Sequence, residues 1–182
     1  MSKEQTGLLK WMLEDIREET LKGICTLTEE QLFIPPYAGE YPIGSYVLHL
    51  CEVDIHWLEV ISGEKLSDEL KDRCYFDRWF DPSGESAPPQ SPPSLEYYAS
   101  ALHDTRKLFL DHVSGLNDDD LEKTVTMKSK RGDLNLTKKW IIYHIIEHEA
   151  HHRGQMFMLM RQAGWKNAHQ MNDRKAVWWI KD

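Results

Sequence analysis

The sequence is poor in cysteine and contains no Cys-x-x-Cys pair. Its three cysteines are an odd number and lie far apart, at positions 25, 51 and 74. This spacing predicts neither a disulfide framework nor a thiolate zinc site. We therefore expect three reduced thiols, with Cys51 in the core.

A long hydrophobic run and an excess of basic charge are also missing. No segment reaches the roughly 18 consecutive apolar residues of a membrane span, and the N-terminal Met-Ser-Lys-Glu-Gln has no signal-peptide core. The net charge of -8 disfavours nucleic acid and anionic membranes as partners, because both require a basic patch on the protein. The one basic cluster, Lys128, Lys130 and Arg131, is interpreted as solvated charge at a turn. We expect a cytoplasmic protein with no nucleic-acid partner and no membrane partner.

The composition that remains is that of one folded domain. Of its 182 residues, 41% are hydrophobic and 29% are charged, and seven are tryptophans. A chain of this length can bury a substantial core, and its tryptophans supply large aromatic pieces for that core or for a pocket. The prediction is a single domain over residues 1–182.

Hydrophobic residues recur at helical spacing in four long segments. Within the first of them, Gly23 is predicted to stop the helix. The second is apolar nearly all round and should be buried, and Ser94 should cap the third. The four predicted helices cover residues 4–23, 42–61, 95–115 and 136–160.

The connections between these helices carry their own signals. Short capped helices are predicted after Thr28 and Asn117, and the alternation over residues 123–137 indicates a small hairpin. Residues 64–94 hold most of the prolines and form the longest irregular stretch. Its aromatic part, Tyr75 to Phe80, either covers a pocket or anchors the loop. The C-terminal residues 176–180 are expected to pack on the bundle.

The most informative stretch holds four of the nine histidines within residues 144–152. On a helix, His148 and His152 fall at the edge of the apolar arc and inside it, whereas His144 and His151 lie roughly 60° or more further round. Two imidazoles one turn apart on the core-facing side can give one ion two ligands. We therefore predict that His148 and His152 bind a metal ion. The apolar arc consists of Ile141, Ile145, Met156 and Leu159.

A third ligand is expected from the second helix, where His49 shares an arc with apolar residues. Taken alone, His49 is more typical of a core histidine than of a ligand. The sequence also contains an internal repeat, because His-x-x-Glu-x-x-x-His occurs at positions 49–56 and again at 144–151. The two halves of the chain would then each form a similar pair of helices. That repeat predicts a pseudo-symmetric four-helix bundle, a fold that builds metal sites from facing helices. It leaves a second ligand set open, formed by His49, His144 and His148.

Two segments of the sequence are distinctive, Pro42-Ile-Gly-Ser-Tyr-Val-Leu-His49 and, above all, His148-Glu-Ala-His-His-Arg-Gly-Gln155. Both resemble segments of the DinB and YfiT-like family. The resemblance spans nearly the whole chain and implies an all-α protein, a four-helix bundle of up-down-down-up order that forms homodimers. It also implies a divalent metal ion held by one histidine of the second helix and two of the last long helix. Carried onto this chain, those ligands are His49, His148 and His152.

Some members of the family are metal-dependent transferases or isomerases that use low-molecular-weight thiols. The resemblance therefore implies a zinc or nickel site that activates a thiol for transfer to an electrophile, because a bound ion lowers the pKa of a thiol. A bound water would serve a metal-dependent hydrolase by the same physics. A non-catalytic metal-binding stress-response protein is the third possibility, and a fourth protein ligand would favour it. Glu149 and Gln155 are expected to support the site rather than to react, and no catalytic residue is assigned.

Overall fold

Four long helices dominate the structure, a computed structural model that describes residues 2–80, 89–129 and 132–165. They are α1 (Glu4–Ile24), α3 (Ile43–Ser62), α5 (Leu95–Ser114) and α7 (Lys138–Gln162). Between them lie the short helices α2 (Glu29–Phe33), α4 (Asp68–Arg73) and α6 (Asp118–Leu121), and the strands β1 (Thr124–Met127) and β2 (Leu134–Thr137). The strands pair antiparallel, so the predicted all-α bundle with one small hairpin is confirmed.

Side-chain caps begin several of these helices, as the sequence predicts. Thr28 and Asn117 each form a complete capping box. Ser94 accepts a hydrogen bond from the backbone N–H of Tyr97 at 3.1 Å, and Thr137 accepts one from that of Trp140 at 3.1 Å. Because Thr137 also ends β2, the hairpin leads directly into α7 and determines where its first turn lies.

Helices α1 and α7 run parallel, and a glycine allows them to approach closely. Arg17 bonds Glu149, and further along the pair an added Cβ on Gly23 would lie 1.9 Å from Cζ of Phe157. The prediction that Gly23 ends the first helix is wrong, since α1 continues to Ile24. A glycine is needed there because the ring of Phe157 occupies the space of a side chain.

Helices α3 and α7 run antiparallel. The ring of His49 lies 5.0 Å from that of His152. Further along α3, the ring of Trp57 lies 5.7 Å from that of Trp140, which comes earlier in α7. This pairing places the N-terminal half of α3 against the C-terminal half of α7, so the histidines of the two helices face each other.

Helices α3 and α5 run parallel, which completes the up-down-down-up order. The hydroxyl of Tyr98 would lie 2.3 Å from a Cβ on Gly44. Further along both helices, Arg106 donates a hydrogen bond to Asp54 at 3.1 Å. A parallel pair requires the chain to return along the full length of the bundle. The long connection after α3 makes that return.

The long connection is less irregular than predicted. Ser67 caps α4 by accepting from the backbone N–H of Leu70 at 3.3 Å. Trp79 is only 5% exposed and packs near Phe33 and Tyr98, so this aromatic anchors the segment. Of the other expectations, Lys130, Arg131 and the C-terminal residues 176–180 lie outside the described residues.

The core has two apolar parts, one towards each end of the bundle. The part towards the start of α3 contains Cys51, which is fully buried as predicted, together with Ile24, Tyr98 and Met160. The other contains Leu13 together with residues from the C-terminal half of α3 and the N-terminal half of α7. In the described ranges, no helix combines the length and the apolar content of a membrane span.

Candidate metal centre

The structure brings His49, His148 and His152 together in the groove between α3 and α7. Each offers one ring nitrogen, and these nitrogens lie within 4.8 Å of one another. The ring centroids are 5.2 Å apart for His49 and His148, and 4.4 Å apart for His148 and His152. A group of three imidazoles at this spacing could hold a metal ion.

His49 is oriented by a buried carboxylate. Its Nδ1 lies 2.8 Å from Oε2 of Glu52, one turn further along α3. Because a carboxylate only accepts, Nδ1 carries the proton and donates it, and Nε2 keeps its lone pair for a ligand. The other oxygen of Glu52 accepts the backbone N–H of Asp77 at 3.0 Å, so the same carboxylate also fastens the loop after α4.

His152 and His148 differ in what their Nδ1 atoms contact. Nδ1 of His152 lies 2.7 Å from Oε1 of Gln155, which as an amide oxygen accepts and leaves Nε2 with a lone pair. Nδ1 of His148 is buried and has no hydrogen-bond partner among the residues that the structure describes. Buried polar atoms are almost always paired, so this nitrogen requires an explanation.

The surroundings keep all three imidazoles uncharged at neutral pH. Burial lowers the pKa of His49 to about 4. Burial and then the repulsion of His49 lower the pKa of His152 to about 4. For His148, burial and the neighbouring imidazoles, His152 first and His49 next, lower the pKa to about 3. Metal ligation requires the neutral imidazole, so the protonation state suits this role.

An aromatic wall closes one side of the group. Phe80 stacks on His49 with centroids 4.4 Å apart and lies 5.5 Å from the ring of His152. Tyr46 and Tyr41 pack on Phe80 at 4.7 and 4.9 Å. Both expectations for the aromatic part of the loop therefore hold in part, since Trp79 anchors it and Phe80 covers the histidines.

Three other histidines of α3 and α7 lie outside the group of three. His144 stacks on Trp140 with centroids 4.8 Å apart and an interplanar angle of 5°, and its ring is 5.7 Å from that of His148. His56 and His151 are exposed. The group that could hold an ion thus includes His152 and not His144.

Glu149, which the sequence suggested as a supporting residue, turns away from the histidines into the core. There it meets one charged residue from each of the other three long helices, in a cluster that we call the charge quartet. The quartet consists of Arg17 of α1, Asp54 of α3, Arg106 of α5 and Glu149 of α7.

Sequence reasoning identified neither the charge quartet nor the role of Glu52. One signal was available, because Asp54 interrupts the apolar run of the second helix, between Val53 and Ile55. A charged residue inside an otherwise buried helix predicts a buried partner of opposite sign. The arginines that serve as partners could not be selected from the many charged positions of α1 and α5.

The chain also matches a known family over most of its length. Residues 12–156 match the sequence model of the DinB superfamily. The chain belongs to the DinB superfamily. The matched range contains the whole group of three histidines and all four members of the charge quartet, and the resemblance inferred from the sequence is confirmed.

Individual DinB relatives show the same likeness. The protein DinB of Bacillus subtilis (strain 168) is 27% identical over 129 residues, which cover 70% of this chain and 69% of that protein. The crystal structure of a DinB-like protein from Bacillus cereus ATCC 10987 is 25% identical, with a TM-score of 0.57 over 82% of this chain and 86% of that one. A conserved protein from Enterococcus faecalis has a TM-score of 0.65 over 90% and 98% of the two chains, and at 13% identity it shares the fold.

Proposed function

We propose that this DinB superfamily protein binds a divalent metal ion, zinc or nickel, through His49, His148 and His152. We propose further that it transfers a low-molecular-weight thiol to an electrophile. The observation that carries the proposal is the buried Nδ1 of His148, which has no partner in the described part of the chain and lies within a group of three neutral imidazoles.

The arrangement of hydrogen bonds supports a ligand role for the other two histidines. Glu52 and Gln155 accept from the Nδ1 atoms of His49 and His152, which leaves a lone pair on each Nε2. Oxygen acceptors behind ligating histidines fix the tautomer and make the imidazole a better donor to a metal. Core histidines that served packing alone would not need two fixed tautomers beside an unpaired third ring.

The number of ligands favours a catalytic site over a structural one. Among residues 2–80, 89–129 and 132–165, the group that could hold an ion has three members. Structural zinc sites have four protein ligands, whereas catalytic sites keep one position for water or substrate. Three imidazoles therefore fit a site that admits a small molecule.

The residues around the site suit the chemistry of a thiol. When bound, a zinc or nickel ion lowers the pKa of a thiol and so supplies a thiolate nucleophile near neutral pH. The three neutral imidazoles leave the positive charge of such an ion uncompensated, which favours an anionic ligand. Phe80 and Tyr46 exclude water from one side of the group, so charges there interact more strongly than in bulk water.

The test begins with metal analysis of protein purified without an affinity tag. We expect about one ion per chain in the wild type and after His151→Ala, and a strong loss after His148→Ala. Turnover is then measured with several low-molecular-weight thiols and a chloro-aromatic acceptor, before and after chelation. Thiol conjugation that disappears on chelation and in His148→Ala supports the proposal. Ester hydrolysis alone would indicate a hydrolase, and equal metal content in all three proteins would contradict the site.

We propose also that the protein forms a homodimer, as the family resemblance implies. Leu8 and Trp11 lie on the outer face of α1 and are each 57% exposed. Large exposed apolar side chains of this kind are typical of surfaces that pair with another chain. Light scattering at micromolar concentration should give twice the mass of one chain, and the mass of a single chain would contradict the proposal.

A further inference from the structure

The charge quartet joins all four long helices at one level of the bundle. Nε of Arg17 donates to Oε1 of Glu149 at 2.9 Å, and its Nη2 donates to Oδ2 of Asp54 at 3.2 Å. Nε of Arg106 donates to the same Asp54 oxygen at 3.1 Å, and its Nη2 donates to Oε2 of Glu149 at 2.6 Å. Each arginine therefore bridges both carboxylates.

The quartet is neutral in sum and almost completely buried. Its side chains are between 0% and 6% exposed. Each arginine also donates to a backbone carbonyl, Nη1 of Arg17 to that of Leu102 and Nη1 of Arg106 to that of Leu13. Removing such charges from water is costly, and apolar residues of similar volume often stabilise a fold at least as well. Bundle stability alone is therefore a weak reason for this cluster.

The positions of the two carboxylates suggest a geometric role. Asp54 lies on α3 and Glu149 on α7, and these are the helices that carry the three histidines. Glu149 follows His148 directly in the sequence. The two carboxylates would repel each other, and the rigid, planar guanidinium groups of Arg17 and Arg106 hold them at a fixed separation.

Apolar packing would fix that separation less well. Leucine and methionine side chains can repack and slide along each other at little cost, whereas a two-point hydrogen bond from a guanidinium has one favourable geometry. The histidine nitrogens must meet within 4.8 Å from two different helices. A shift of one helix along the other by a fraction of a turn would separate them.

We propose that the charge quartet is a positioning device that fixes α3 against α7 so that His49 meets His148 and His152. Its four members are positioning residues and do not touch the ion. The proposal rests on the metal site of the proposed function.

The main test replaces the whole quartet by apolar residues, in the variant Arg17→Met, Asp54→Leu, Arg106→Met, Glu149→Leu. Cobalt(II) serves as the probe, because its visible spectrum reports the geometry of its ligands. We expect the metal-free variant to unfold cooperatively, near the wild-type temperature or above it. We expect its cobalt affinity to fall by about tenfold or more, with an altered visible spectrum. Wild-type affinity together with a wild-type spectrum would overturn the proposal.

Two further sets of variants separate positioning from stability. Val113→Ala removes buried volume from α5, two turns from Arg106, and should lower the melting temperature without changing the cobalt spectrum. Arg17→Lys and Arg106→Lys keep the charge but lose the planar fork, so each should weaken cobalt binding and alter the spectrum. If the fourfold variant does not fold, these lysine variants decide. Wild-type cobalt binding in both of them would then overturn the proposal.

A measurement without metal keeps this proposal distinct from the proposed function. Nitroxide labels on cysteines introduced at the exposed positions His56 of α3 and His151 of α7 report the arrangement of the two helices. We expect one narrow distance distribution in the metal-free parent and a broader or shifted one when the quartet is replaced. If the labelled protein with an intact quartet binds no cobalt, the proposed function fails, but the distances between the labels still test the positioning role. Unchanged distances would overturn that role.

Discussion

Two polar clusters occupy the same level of the bundle, and they treat their polar atoms in opposite ways. The charge quartet pairs each of its guanidinium groups with two carboxylates. The histidine cluster of His49, His148 and His152 is uncharged, and one of its buried nitrogens has no partner within the described chain.

The difference indicates which cluster is complete as it stands. Oδ1 of Asp54 makes no hydrogen bond within the described residues, but it lies 3.1 Å from Nη2 of Arg106 and so has a neighbour of opposite charge. Nδ1 of His148 has no hydrogen-bond partner there, and an atom of this kind has a cost that a ligand can remove. This contrast agrees with a structural role for the quartet and with the metal binding proposed for the histidines.

Breaking the quartet at one point should give the largest effect. Glu149→Ala leaves Arg17 and Arg106 with an uncompensated buried charge, and the free energy of unfolding should fall by about 3–5 kcal/mol. Chemical denaturation of the metal-free protein measures this change. Glu147→Ala is the matched control on the same helix, because its side chain is 54% exposed and its loss should change stability by about 0.5 kcal/mol or less. Similar losses in both variants would show that the quartet has no special structural role.

Removing a member of the histidine cluster should abolish the effect of metal on stability. A ligand present at 100 times its dissociation constant stabilises a fold by about 2.7 kcal/mol. The wild type should therefore melt higher with zinc than after chelation, and His49→Ala should lose this difference. If His49 served the core alone, its replacement by alanine would instead lower the melting temperature equally with zinc and after chelation.

His144→Ala is the control for the ligand set. It lies outside the group of three, so the metal-induced rise in melting temperature should persist. If the rise disappears in His144→Ala and persists in His152→Ala, the alternative set of His49, His144 and His148 is correct.

Loss of the residues that orient the histidines should weaken metal binding without abolishing it. Gln155→Ala removes the acceptor from Nδ1 of His152, and Glu52→Gln replaces the carboxylate that accepts from His49. Outer partners of this kind typically contribute about 10–100-fold in affinity. Competition against a chromophoric chelator measures the change. Gln162→Ala, at the end of α7, should bind metal as the wild type does, and equal binding by Gln155→Ala would contradict the orienting role.

Much of the fold and the histidine cluster could be predicted because both depend on local periodicity. The spacing of apolar residues identified the four helices, and the angle between His148 and His152 placed both of them on the core-facing side. His49 required a second argument, from the face that it shares with the apolar residues of its own helix. Each of these inferences depends on residue spacing within a single helix.

The features that were missed depend on contacts between helices. Gly23 looks like a helix stop, and only the ring of Phe157 on α7 explains why it lies inside α1. The partners of Asp54 come from α1 and α5, and periodicity within one helix cannot select them. The sequence could not show whether Phe80 covers a pocket or anchors the loop. Its stacking on His49 depends on how the loop after α4 returns to the bundle.

Acid should affect the two clusters over different ranges of pH. The three histidines have a pKa of about 3 to 4 in the folded protein, against 6.5 for an ordinary histidine. As the pH falls from 6.5 towards 4, the unfolded chain therefore binds protons that the folded chain refuses, and the metal-free protein loses stability. Each histidine contributes up to about 1.4 kcal/mol per pH unit in this range. Glu149 acts later, because burial opposes its charge but Arg17 and Arg106 outweigh it and lower its pKa below 4.5.

Urea unfolding of the metal-free protein between pH 7 and pH 4 tests this order. His148→Gln removes one of the titrating groups, so its stability should fall less steeply with acid than that of the wild type, by up to about 1.4 kcal/mol per pH unit. The comparison is needed because burial also lowers the pKa of other histidines, among them His112 and His144. His151→Gln, at an exposed position of the same helix, should follow the wild-type curve. Parallel curves for His148→Gln and the wild type would mean that His148 accepts protons equally in the folded and unfolded chains, and its environment would then not be the neutral, ligand-ready one described above.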